Sequence, residues 1–205
     1  MSAPSQTIEL PEMFAGHSFA PAPGSAPVEI TVNVNDIWMT PDAIAADMVN
    51  HFKPSGRMLE PCKGDGAFLR AMPGCDWCEI REGRDFFGWR EPVDWIISNP
   101  PYSVFTAFHD HAQSVAENIV WLIPVHKPFG STQRVNALRQ WGWIRHIRLY
   151  GRSRSYGLDV GFVCGAVHFQ RGWNGDTGWS FAAVGEAQND QAQAQPPGKA
   201  VERKK

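Results

Sequence analysis

Residues 57–69 read R-M-L-E-P-C-K-G-D-G-A-F-L, and their order decides the fold. The apolar run at 57–60 has the length and composition of a short strand. It enters a loop at 61–66 where Gly64 and Gly66 allow the backbone to turn sharply and to approach a ligand closely. Ala67, Phe68 and Leu69 then open a helix. Strand, glycine loop and helix form one βα unit, and the chain beyond repeats the alternation. Further strands are predicted at 76–80, 93–98 and 118–125, with a helix at 105–117 between the last two. A helix at 131–141 leads to strands at 144–149 and 162–169. Strands joined through helices favour an α/β fold with a mostly parallel sheet and helices on both faces. The final two strands, with no helix between them, are predicted to pair as an antiparallel C-terminal hairpin.

Upstream, Thr40-Pro41-Asp42 has the makings of a helix start: a capping hydroxyl, a residue already fixed in φ, and an acid near the positive end of the dipole. Ile44, Met48, Val49 and Phe52 fall on one helical face, and Pro54-Ser55-Gly56 ends the helix. Residues 1–35, rich in Pro, Ala, Ser and Gly, are read as a flexible arm, 36–184 as one catalytic domain, and 185–205 as a disordered tail.

The chain of 205 residues carries a formal charge of -2 with 43% hydrophobic residues. That is enough for one core, and it excludes a globally basic protein, so any basic surface must be local. No secretory leader or membrane-length apolar run is visible, and the expectation is a soluble, cytoplasmic protein with no membrane partner. Four cysteines fit a reducing compartment. Cys75 and Cys78 form a lone C-x-x-C with no second pair at zinc spacing, so they are read as packing residues and no metal is expected. His109 and His111, two apart on a helix, point to different faces and suit ordinary helix positions. His126 follows a predicted strand end and is read as packed or solvent-facing.

In open α/β sheets ligands sit beyond the carboxyl ends of the strands. The glycine loop lies at one such end. Its acids, Glu60 and Asp65, suit a cationic amine better than a phosphate, although taken alone the loop reads equally as a tight turn. Ser98-Asn99-Pro100-Pro101-Tyr102 lies at another. Consecutive prolines hold carbonyl oxygens in fixed directions, Asn99 adds a side-chain carbonyl and Tyr102 an aromatic face. An amine conjugated to a ring is a poor nucleophile because its lone pair is delocalised. Two acceptors gripping its hydrogens localise that pair and aim it at a methyl donor, while a stacked ring fixes the plane. An Asn-Pro turn with no such role stays open as the alternative.

In this order and spacing, residues 59–68 and 99–102 resemble the amino-group DNA methyltransferases that make N6-methyladenine, over residues 38–169. The resemblance implies a Rossmann-like methyltransferase fold and S-adenosylmethionine as cofactor. It further implies direct attack of the adenine amine on the sulfonium methyl, with the base flipped into a pocket of Asn99, Pro100, Pro101 and Tyr102. Trp38, Thr40 and Pro41 match the helix-start motif that holds the methionine end. Glu60, Pro61, Cys62, Gly64, Asp65, Gly66 and Phe68 match the cofactor loop, joined by Asn99. Glu79 matches the acid that grips the ribose hydroxyls, and Asp85 with Phe86 the pair that reads and sandwiches the cofactor adenine. The chain departs from the pattern at Lys63, where small residues are usual. The stretch 79–85 is short enough that the intervening helix is expected to be missing. No room remains for a separate target-recognition domain, so sequence choice is expected to be slight, loop-encoded or supplied by another subunit.

DNA is the expected partner, with a homodimer left open. Lys127, Arg134, Arg139, Arg145, Arg148, Arg152 and Arg154, interleaved with Trp141, Trp143 and Tyr150, concentrate positive charge in one segment. Lys127, Phe129, Arg134, Arg152, Arg154 and Tyr156 are the candidate nucleic-acid contacts, Phe129 as a wall of the base pocket. A solvated helix face and edge strand is the alternative. Methylation of RNA adenine or of a protein glutamine, and an inactive DNA-binding decoy, remain as further readings. Glutamine enzymes usually carry an N-terminal helical domain that is not seen here. The intact Asn99, Pro100, Tyr102, Glu79 and Asp85 argue against a decayed site. The compact build suits a phage or mobile-element enzyme that modifies DNA broadly, and restriction-modification is the other context that the resemblance implies. Replacing Arg152 and Arg154 together by Ala is expected to weaken DNA binding and flatten its salt dependence in an equilibrium titration; unchanged affinity at low and high salt removes this role.

Overall fold

The computed structural model describes residues 38–150 and 163–182. Within them seven strands form one sheet in the order β2-β1-β3-β4-β6-β5-β7. The strands are β1 (Met58–Glu60), β2 (Asp76–Trp77), β3 (Val93–Ser98), β4 (Ala116–Pro124), β5 (Gly142–Tyr150), β6 (Cys164–Arg171) and β7 (Gly178–Phe181). Helices α1 (Asp42–Phe52), α2 (Ala67–Ala71), α3 (Phe105–Val115) and α4 (Thr132–Trp141) lie against it. β2, β1, β3 and β4 run parallel, β6 is antiparallel to β4 and β5, and β7 is parallel to β5.

β4 explains why the sheet has two covered faces. Its run Ile119-Val120-Trp121-Leu122-Ile123 is wholly buried, as a central strand requires. The period of two sorts these residues: Ile119, Trp121 and Ile123 join a core with Phe105, Phe108 and Ala112 of α3 and Leu138 of α4. Val120 and Leu122 join a second core with Ile44, Ala45 and Met48 of α1 and Ala67 and Phe68 of α2. The remaining strands obey the same division, with Val167 and Phe169 of β6 on the α3 side and Cys164 and Ala166 on the α1 side. Ile144 and Ile147 of β5, three apart, both reach the α3 side because the register shifts between Ile144 and His146.

The predicted hairpin of β5 and β6 is present, and β6 lies between β4 and β5. β7 was not predicted; its four residues add a parallel edge beside β5. The strand expected at 76–80 is only Asp76–Trp77, and the one expected at 162–169 is Cys164–Arg171, with residue 162 outside the described residues. The start of α1 also differs. Pro41 is the N-cap, with no side-chain capping bond, so the Thr40 hydroxyl does not cap the helix. Asp42 does lie in the first turn, and its carboxylate binds Arg70 of α2 at 2.6 Å. The helix ends at Lys53, left-handed at φ 48°, whose amide returns to the Val49 carbonyl just before Pro54.

One polar network pins α1 to the sheet. Asp47 accepts two bonds from Arg148, at 2.6 and 2.7 Å, and one from Tyr150 Oη at 2.7 Å. Burial pushes the Asp47 carboxyl up, but these donors outweigh it and hold the group below its ordinary value. On the opposite face His109 of α3 accepts from Trp121 Nε1 at 3.0 Å, and burial lowers its pKa to about 3, so it is a neutral core residue. Phe169, fully buried in the α3-side core, is the test of that packing. Phe169→Ala should lower the unfolding free energy by about 3–5 kcal/mol in denaturant titration, because little can collapse into the space.

Candidate active site

The strand order reverses at β1: β2 lies on one side of it and β3 on the other. Loops leaving the carboxyl ends of β1 and β3 therefore diverge and leave a crevice between them. At the end of β1, Glu60 is 0% exposed. Its Oε1 accepts from Ser98 Oγ at 2.5 Å and from the Cys62 amide at 3.0 Å. Oε2 is buried with no partner among the described residues. Burial raises the Glu60 pKa to about 7, against the lowering influence of the Ser98 and Cys62 bonds, and Glu79 adds like-charge repulsion. Cys62 Sγ lies 2.9 Å from Ser98 Oγ and 3.3 Å from the Asn99 carbonyl, so the two loops are stitched together at their roots.

The glycine loop uses its glycines as conformational necessities. Gly64 and Gly66 have φ of 55° and 88°, a region other residues rarely adopt, and a Cβ on Gly64 would stand 3.4 Å from Met39 Sδ. The Gly64 amide donates to Glu79 Oε2 at 3.0 Å, and Arg81 Nε donates to Glu79 Oε1 at 2.9 Å. Burial pushes Glu79 up, but the bonds from Arg81 and Gly64 hold it below the usual carboxylate value. Glu79 thus stands at the end of β2 as a charged acceptor beside the loop.

Between Glu79 and Asp85 the chain makes only a 3-10 turn, Ile80–Glu82, closed by a bridge from Glu79 to Arg84. The helix expected to be missing is indeed absent from these described residues. Lys63 crosses to this turn: its ammonium pairs with Glu82 and lies 4.4 Å from the Trp77 ring centre, while Arg84 stacks on the same ring at 3.8 Å. Asp85 caps the next turn through the Phe87 amide at 3.0 Å. Phe86 is 2% exposed and packs on Phe108 and His111 at 5.2 and 4.7 Å, so its ring belongs to the core and does not offer a face for the cofactor adenine. The exposed apolar side chain beside Glu79 is Ile80.

After β3, Asn99 donates Nδ2 to the Trp38 carbonyl at 2.9 Å. Its Oδ1 is buried with no partner among the described residues. Tyr102, expected as a stacking platform, is 5% exposed and lies in the α3-side core with its hydroxyl 3.9 Å from Cys164 Sγ. Among the described residues, exposed rings are offered by Trp38, which lines the groove at this end, and by Phe129 after β4.

A small groove, open to solvent, is lined by Trp38, Met39, Thr40, Cys62, Lys63, Gly64, Asp65, Ala67, Phe68 and Asn99. Of the residues expected at the cofactor site, Trp38, Thr40, Cys62, Gly64, Asp65, Phe68 and Asn99 meet there. Pro41, Glu60, Pro61, Gly66, Glu79, Asp85 and Phe86 do not line it, although Glu60 and Glu79 bond directly to its walls. Met39, Lys63 and Ala67 are additions, as is Ser98 beneath. Ser98 was legible in principle as the hydroxyl at the last strand position before Asn99.

Two of the candidate nucleic-acid contacts are engaged internally. Lys127 Nζ donates to the Tyr102 carbonyl at 2.9 Å, and Arg134 donates to the Lys127 carbonyl and to Thr106 Oγ1, each at 2.8 Å. They brace the proline turn against α3 and α4. Arg148 is likewise committed to Asp47. Arg152, Arg154 and Tyr156 lie outside the described residues.

No family model matches the sequence, and no curated protein matches it. Solved structures do share the fold. A Listeria monocytogenes protein described as a class I S-adenosylmethionine-dependent methyltransferase matches with a TM-score of 0.50 at 14% identity, over 74% of this chain and 67% of its own. A chain from a type I restriction-modification system matches with a TM-score of 0.54 at 12% identity, over 74% of this chain and 46% of its own. A protein described as the modification subunit of a type I restriction enzyme from Vibrio vulnificus matches with a TM-score of 0.51 at 12% identity, over 76% and 49%. The chain spans about half the length of the two restriction-system proteins.

The raised Glu60 pKa has a consequence for stability. Between pH 4.5 and about 7 the folded state keeps a proton that the unfolded chain has released. The protonated carboxyl therefore stabilises the fold below this window, and that stability is lost as pH rises through it. Denaturant unfolding should show wild-type stability falling by up to about 3 kcal/mol across the window, and Glu60→Gln should flatten this slope. An equal slope in both proteins contradicts the assignment.

Proposed function

We propose that the chain is an S-adenosylmethionine-dependent methyltransferase acting on the exocyclic amine of adenine in DNA. The observation that carries this reading is Asn99 Oδ1, an acceptor buried at the strand end without a partner among the described residues, beside a groove that meets the cofactor-loop residues. A buried acceptor left unbonded is costly unless a ligand completes it, and a planar NH2 group is such a ligand. The residues present fit the cofactor. Trp38–Thr40 and Gly64–Phe68 offer apolar walls with close backbone approach, Asp65 is an acid for the amino group, and Glu79 is an acceptor for the ribose. When bound, the cofactor supplies an electrophilic methyl group on its sulfonium.

The remaining steps belong to this chain. The Trp38 carbonyl holds the Asn99 amide through Nδ2, and this fixes which way Oδ1 faces. Oδ1 and the Pro100 carbonyl each take one amine hydrogen, localising the nitrogen lone pair toward the groove. Tyr102 acts from the core, keeping the proline turn in place, with Lys127 on its carbonyl. Phe129, exposed after β4, is a candidate ring to cover the base. Two similar structures come from restriction-modification systems, which supports DNA over RNA or protein as the substrate class.

Labelled cofactor with separate DNA, RNA and protein substrates, followed by digestion to nucleosides, should place the label on N6 of deoxyadenosine. Label found only in protein rejects the reading. Asn99→Ala should lower transfer about 10²–10³-fold while calorimetry shows cofactor affinity nearly unchanged.

A further inference from the structure

We propose that Glu60 is the acceptor of the proton shed by the substrate amine, reached through the Cys62 thiol and the Ser98 hydroxyl. The proposal rests on the methyltransferase reading and gives the proton of that reaction a destination. From Cys62, which lines the groove, the contacts run unbroken to Glu60. Cys62 lines the same groove as Asn99 and is held beside it by the contact to the Asn99 carbonyl at 3.3 Å. Its sulfur meets Ser98 Oγ at 2.9 Å, and Ser98 Oγ meets Glu60 Oε1 at 2.5 Å. The second oxygen of Glu60 is buried with no partner among the described residues.

The step balances as follows. The N–C bond forms as the sulfonium S–C bond breaks, leaving a positive charge and a surplus hydrogen on the amine nitrogen. That proton passes to the Cys62 sulfur while the Cys62 S–H proton passes to Ser98 Oγ and the Ser98 O–H proton passes to the Glu60 carboxylate. The amine and the carboxylate both end neutral, and Cys62 and Ser98 end as they began. Once the groove empties, the reverse path returns the proton to water.

The surroundings favour this direction. Glu60 is fully buried, so the neutral acid is the comfortable form, yet its pKa of about 7 leaves a substantial carboxylate fraction at neutral pH. Cys62 faces it from its own loop, Ser98 from β3, and Glu79, Cys75 and Cys78 from the β2 side. Glu79 raises the proton affinity of Glu60, while burial and the Glu60 charge keep the Cys62 thiol from ionising, so it relays without becoming a thiolate. A merely structural Glu60 would hold the two strand ends together and have no bearing on how the rate responds to pH.

Single-turnover methylation of adenine-containing DNA at saturating cofactor, followed against pH, separates the two roles. The wild type should lose rate on the acid side with an apparent pKa near 7. Glu60→Gln should abolish that limb and lower the plateau roughly a hundredfold, the low end of general-base effects. Cys62→Ala, which leaves Glu60 in place and guards against a folding defect in the first variant, should do the same. Cys62→Ser, whose hydroxyl still relays, should recover the limb and most of the rate. An acid limb and plateau unchanged in both Glu60→Gln and Cys62→Ala overturn the relay while leaving the methyltransferase reading intact. A wild type that binds no S-adenosylmethionine and methylates no substrate overturns that reading, and the relay with it.

Discussion

The 2.5 Å hydrogen bond from Ser98 to Glu60 joins two strand ends whose following loops diverge in different directions. Leu59 pairs with Ile96 inside the sheet, and one residue further on the ladder has ended. From there the carboxyl, the Ser98 hydroxyl and the Cys62 thiol continue the connection by side chains. The join sets the width of the crevice, because the glycine loop hangs from one side and the proline turn from the other. A buried carboxyl is an expensive way to tie two strands. It is tolerable because Oε1 takes two donors and the group can accept a proton near neutral pH.

Charge around the crevice is largely committed. Asp65 lies within reach of Arg70, Glu79 binds Arg81, and Lys63 binds Glu82 across the Trp77 ring. Between Glu79 and Asp85 there is only a 3-10 turn, and on this side Lys63 over the ring of Trp77 in β2 walls the glycine loop.

The α/β alternation was legible because β4 is a continuous apolar run while α3 and α1 carry helical periodicity, and these patterns survive into the cores they build. The crevice was legible because glycine and proline punctuate the two strand ends. What escaped was decided by partners distant in sequence. β7 is four residues whose pairing with β5 has no local signature. Thr40 has every attribute of a cap, but the helix begins one residue later, after Pro41. In sequence Phe86 and Tyr102 look like open aromatic faces, yet tertiary packing turns both into the α3-side core. The arginines of the basic segment showed their charge in the sequence but not their partners: Arg148 is taken by Asp47, 101 residues away.

On the proposed reading, one crevice brings the methyl donor beside the Asn99 acceptor. The most direct measurement is a crystal structure with S-adenosylhomocysteine and an adenine-containing oligonucleotide. The cofactor product should lie between Trp38–Thr40 and Gly64–Phe68, its sulfur facing an adenine amine that donates to Asn99 Oδ1. A cofactor product bound elsewhere, or a crevice empty at saturating ligand, would contradict this reading.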